Sequence, residues 1–198
     1  MHHAKRLSPD KRTIDWKLPG SVLVVAACLV GLAIAFDEGA AARIVNGLGG
    51  LLWLVAAALL AWSLHSGAGR RRSTLVLVIA IVVLAILVRP TDLVAAIIGF
   101  AVGGGVVALT ARERVMHWTL LVPALWLPVH IIVGIARSSI DGAAAVRTEP
   151  PPTAAVVPLA MVLAAGAAGL LVSRGRGTVS PPAHEATPTT SARHGLET

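Results

Sequence analysis

The chain has 198 residues, of which 56% are hydrophobic and only 14% charged, and its mean hydropathy is positive. Soluble domains carry roughly a quarter charged residues, so this chain has too little polar surface to cover itself in water, and lipid must act as its solvent. The formal net charge of +7 is neither gathered on one amphipathic face nor interleaved with aromatics, which speaks against nucleic acid as a partner.

Residues 1–17 form a basic N-terminal tail, with Lys5, Arg6, Lys11, Arg12 and Lys17 set against Asp10 and Asp15. The apolar run over 18–36 approaches the ~20 residues that cross a bilayer. It exceeds the roughly 7 to 15 residues of a secretory signal core, so an uncleaved first span is expected. Cys28 lies within it and, as the single cysteine, forms no intramolecular disulfide. Asp37, Glu38 and Arg43 connect it to a second span at 44–64, which ends before His65 and the triplet Arg70, Arg71, Arg72. The third span, 74–88, is short, and tilt of its neighbours or local thinning of the bilayer would accommodate it.

Arg89-Pro90-Thr91-Asp92 reads as a tight turn: the proline bars continuation of the helix, and Asp92 is placed to cap the amides of the next one. Spans four and five cover 93–111 and 116–136. A longer connection containing Pro150, Pro151 and Pro152 precedes the sixth, 154–173. From 174 to 198 the chain is rich in Gly, Pro, Ser and Thr without apolar periodicity, as in a disordered tail.

The expected fold is therefore all-α, a polytopic integral membrane protein built as a six-helix transmembrane bundle. Of the 17 Lys and Arg residues, only Arg43, Arg89, Arg137 and Arg147 fall on one side of such a bundle. Cytoplasmic loops carry the excess, which places both termini in the cytoplasm and the protein in the cell membrane. Trp16, Trp62 and Trp118 fall near the same cytoplasmic ends, whereas Trp53 and Trp126 fall deeper, between helices, with ring nitrogens that need partners.

Membrane helices associate through close packing, and the four-residue ladders of small residues mark the expected seams. Gly31 stands between Ala27 and Ala35 in the first span, and Gly99 and Gly103 lead the fourth. The second span opens Asn46-Gly-Leu-Gly-Gly50.

The fifth span holds the one ionisable side chain well inside an apolar segment, His130, and an ionisable group at that depth is a functional hypothesis by default. Pro123 and Pro128 each remove a backbone donor, and the carbonyls they free need a partner that His130 or Trp126 could supply. His130, Gly134 and Arg137 share a helical face, and Arg89, Asp92 and Arg137 lie on the same outer side, so a polar cluster of His130, Arg137, Arg89 and Asp92 is the candidate site. His117 and His130 have a spacing that could serve stacked haems, but the matching histidines on a second helix are missing, so no cofactor is expected. No metal-ligand set, hydrolase elbow or phosphate loop occurs, so neither a metal site nor catalytic residues are assigned.

Two functions follow as expectations. The first is a non-catalytic membrane subunit or assembly factor, packing through small-residue faces against a membrane-protein partner, with anionic lipid at Arg70, Arg71 and Arg72. The alternative is a small-solute or proton-linked transporter built on the outward cluster around His130.

Overall fold

The structure, a computed structural model, describes residues 15–36, 39–65, 70–89, 91–141 and 151–177. They form six α-helices: α1 (Lys17–Ala35), α2 (Ala40–Leu64), α3 (Arg70–Leu87), α4 (Leu93–Thr110), α5 (Val115–Asp141) and α6 (Val157–Gly177). A 3-10 turn, Pro152–Val156, leads into α6. Five of the helices, all but α3, are long and apolar enough to cross a membrane. α3 opens with Arg70, Arg71 and Arg72, which leaves it the shortest apolar stretch. The basic tail up to residue 14, the connection over 142–150 and the tail from 178 onward lie outside the described residues.

Several helices outrun their apolar segments. α2 starts at Ala40 because three alanines with high helix propensity precede its apolar run. α6 continues past Ser173 to Gly177, with Arg174 and Arg176 in its last turn, where cations complement the carbonyl end of the helix dipole. At the other boundary the expected cap is present. Asp92 has extended backbone, and its Oδ1 accepts the amide of Ala95 at 3.0 Å.

α5 is the central post and packs against α2, α3, α4 and α6. Around it, α1 lies against α2 and α6, and α4 lies between α3 and α6. Residues 116–124 of α5 are all buried, so this half of the helix is enclosed on every side. The outer surface of the bundle is aliphatic: Leu18, Val25 and Leu32 repeat every seven residues along α1, and Val78, Val82 and Ile86 face outward from α3. Water does not tolerate continuous apolar surface of this kind, and a bilayer does. The described chain is a helical protein of membrane character.

The small-residue seams are occupied inside the bundle. A methyl group at Gly31 would collide with the carbonyl of Ala155 in the 3-10 turn, so the glycine is what lets that turn lie against α1. At Gly99 it would come within 2.8 Å of Val88 and 2.9 Å of Leu84, and at Gly103 within 3.0 Å of Leu84. Both glycines thus receive α3. Gly104 admits Ala165 of α6 in the same way, at 3.1 Å. α4 runs unbroken through Gly103, Gly104 and Gly105, held by neighbours on two sides.

The two ends of the bundle differ in charge. Lys17, Arg71, Arg72, Arg112, Arg114, Arg174 and Arg176 belong to one end, whereas Arg43 and Arg89 belong to the other. Contacts between distant segments tie the basic end together: Ser73 of α3 donates to the carbonyl of Thr110 at the end of α4 (3.3 Å), and Trp16 lies in a common depression with Arg114 and Ser173.

Candidate functional site along the central helix

α5 keeps helical geometry through both Pro123 and Pro128. Pro128 has no amide to offer the carbonyl of Ala124, four residues back, and in the middle of a membrane that carbonyl needs a donor. Trp53 of α2 supplies it: its indole Nε1 donates to the Ala124 oxygen at 3.0 Å, with both residues buried. This corrects the expectation that His130 or Trp126 would serve the freed carbonyl. A side chain on the same helix points along its own face, whereas an indole arriving from the neighbouring helix meets the oxygen head-on.

His130 does something else. Its ring stacks on Trp126, one turn earlier, with centroids 4.7 Å apart and planes 19° from parallel. Trp126 in turn meets Phe100 of α4 edge to face, at 5.4 Å and 87°. Trp53, Phe100 and Trp126 are among the most completely buried side chains, and together they fill the middle of the bundle. The ring nitrogen of Trp126 is buried and has no acceptor among the described residues. His130 itself is half-buried, at the level where α5 emerges from its neighbours.

Two other members of the expected polar cluster share one turn. Arg89 and Asp92 sit exposed in the turn between α3 and α4, joined through the backbone, where the Asp92 amide donates to the Arg89 carbonyl at 3.1 Å. The Asp92 carboxylate is engaged by its cap. Arg137 is in the last turns of α5, and its side chain lies outside the described residues.

A second feature concerns the outer halves of α2 and α5. Asn46, Trp53 and Leu60 recur every seven residues and share one face of α2; Ala124, Ile131 and Ile135 share one face of α5. Trp53 and Ala124 meet and are buried. Farther out on these same faces Asn46 is exposed, as are Ile131 (53%) and Ile135 (61%). Beyond the Trp53–Ala124 bond these faces carry exposed side chains, while Ala42, at the start of α2, is buried again. A methyl group added at Gly47 or Gly50 would meet nothing within 4 Å.

The tryptophans expected at the membrane surface divide. Trp62 is exposed and Trp16 half-buried, but Trp118, near the start of α5, is packed into the core. The enclosure of the first half of α5 explains the difference.

One residue had no role assigned beyond its charge. Arg176, in the last turn of α6, donates through Nη1 to the carbonyl of Ala111 and through Nη2 to those of Ala108 (3.1 Å) and Leu109 (2.8 Å). Its fork gathers carbonyls that the end of α4 leaves without intrahelical partners. Nothing local in the sequence signals this, because the helix being capped belongs to a segment more than 60 residues away.

His117 is buried at the basic end, beside a depression of about 610 Å³ shared with Asp15, Trp16 and Arg114. Arg114 holds a positive φ of 52° as the chain turns from α4 into α5. Among the described residues, no three His, Cys, Asp or Glu side chains are grouped so as to hold a metal ion. Compared with protein-family models, curated proteins and solved structures, the chain matches none of them.

Proposed function

We propose that this chain is a non-catalytic, multi-pass membrane subunit or assembly factor that receives a partner's transmembrane helix on the exposed outer part of α2, around Asn46. In this reading it has six spans and both termini on the cytoplasmic side of the cell membrane. The observation that carries it is Asn46, exposed on the Trp53 face of α2 about 9 Å along the helix from Ala40. Where such a carboxamide meets hydrocarbon rather than headgroups, its two donors and its acceptor are left without partners, which is costly. A second helix offering a polar group, and approaching closely over Gly47 and Gly50, would satisfy it. Gly31, Gly99, Gly103 and Gly104 are taken up inside the bundle, so they are not what a partner would use. The gathering of arginines at one end supports the orientation.

The test is a photoreactive residue at position 47 in the full chain, crosslinked in cells and purified in mild detergent. A heteromeric adduct is expected, and it should disappear in Asn46→Leu and Gly50→Leu variants that retain their helicity. Recovery as a lone monomer without adducts, or crosslinking only to a second copy, would count against the reading.

A second reading, a solute or proton-linked transporter, is favoured by the buried Trp126 ring nitrogen, which lacks an acceptor among the described residues and lies beside half-buried His130, since an acceptor-bearing solute entering from the outer end would engage that nitrogen. It stands against the aromatic packing that fills the middle of the bundle. Uptake by reconstituted vesicles, unchanged by His130→Ala for every solute tried, would remove it.

A further inference from the structure

A groove of about 600 Å³ runs along the outside of α3 and α4. Val76, Ile79 and Val83 line it from α3, and Ile98, Val102 and Val106 from α4. The glycines of α4 make it: without side chains at 99 and 103, Leu84 and Val88 sink against the α4 backbone and leave a trough between the flanking valines and isoleucines. From Val76 to Val88 it extends roughly 18 Å at 1.5 Å per residue, slightly more than the ~15 Å that half of a bilayer's hydrocarbon core occupies.

Charge stands at one end of this trough. Arg72, Val76, Ile79 and Val83 follow one another at spacings of four, three and four, so the exposed Arg72 lies on the groove-lining face of α3, one turn before the first lining residue. Side chains on a helix lean toward its N-terminus, which carries the Arg72 guanidinium outward from the apolar trough toward the headgroup layer. On the other flank of α3, exposed Arg71 borders a second depression with Thr74, Leu75 and Val78. The Ser73 hydroxyl, bonded to the Thr110 carbonyl, fixes the first turn of α3 against the end of α4, so the cations and the trough keep their relative position. Guanidinium groups favour phosphate, with which they form paired hydrogen bonds.

We infer that the α3–α4 groove is a binding site for one anionic phospholipid, its acyl chain in the trough and its phosphate at Arg72, within the field of the Arg71 charge on the other flank. An uncharged or zwitterionic lipid would fill the trough equally well, so the selectivity belongs to the arginines and the retention to the trough. The site lies on different helices from the proposed partner face of α2 and does not depend on it.

The test uses the full chain purified in mild detergent and presented with dioleoyl phosphatidylglycerol or dioleoyl phosphatidylcholine, bound lipid being counted by native mass spectrometry. The expected result is one phosphatidylglycerol per chain, retained in preference to phosphatidylcholine. Replacing both arginines (R71Q/R72Q), exposed positions outside the core, should lower that preference about thirtyfold. Filling the trough with Val102→Trp, at an exposed position, should lower retention of both lipids alike. Equal retention of the two lipids by the unmodified chain would overturn the inference whatever the variants do. So would unchanged preference in R71Q/R72Q, or a crosslink from position 102 to another protein chain, which would make the trough a protein interface.

Discussion

Trp53 takes the place of the amide that Pro128 lacks, and this exchange can be measured. Trp53→Phe keeps the ring and removes the donor, leaving the Ala124 carbonyl buried without a partner, and should cost about 1 kcal/mol in a detergent unfolding titration. The companion change Pro128→Ala restores the helical amide. In the Trp53→Phe background it should therefore recover most of the loss, and purely additive effects in the double variant would show that the indole bond contributes nothing. Arg176 invites a similar comparison. Arg176→Gln should lower stability by about 1 kcal/mol, and Arg176→Lys should restore little of it, because a single ammonium cannot serve three carbonyls spread over the end of α4. Full recovery by lysine would mean that only the charge matters.

At the scale of helices, what each glycine faces decides what it is for. Gly31, Gly99 and Gly105 look alike in the sequence, but only the first two have a neighbour where a side chain would go. Gly31→Ala drives a methyl into a backbone carbonyl that cannot move aside without shifting the 3-10 turn, so a loss of about 2 kcal/mol or more is expected. Gly99→Ala meets the tips of Leu84 and Val88, which can yield in part, and should cost about 1 kcal/mol. Gly105→Ala meets nothing and should stabilise α4 by up to ~1 kcal/mol through the better helix propensity of alanine. Thermal unfolding of the three variants in one detergent would test the order; a destabilised Gly105→Ala would point to a contact made by something other than the described residues.

On the scale of the whole molecule, the charge difference between the two ends makes a topological prediction. Reporters fused before Met1 and after Thr198 should both register the cytoplasm, and substituting Arg70, Arg71 and Arg72 by glutamine should let part of the population insert the other way. A reporter after Thr198 that is active only outside would break the six-span reading. The middle of the bundle is filled by Trp53, Phe100 and Trp126, while the exposed Asn46 faces outward.

Helical class, the positions of the apolar segments and the Asp92 cap were legible from residue order alone, because each depends on neighbours within about one helical turn: hydropathy runs, a proline stop, a carboxylate three residues before an amide. Other features required the helices to be brought together. Which helix is central, which glycines receive a neighbour, that Trp53 rather than His130 serves the Ala124 carbonyl, and that Arg176 caps α4 all depend on contacts between residues distant in the chain. In lipid, where apolar side chains on every helix are equally at ease facing outward, hydrophobicity says little about which face turns inward. Close steric fit and the need to satisfy buried polar groups choose that face, and both exist only once the bundle is assembled.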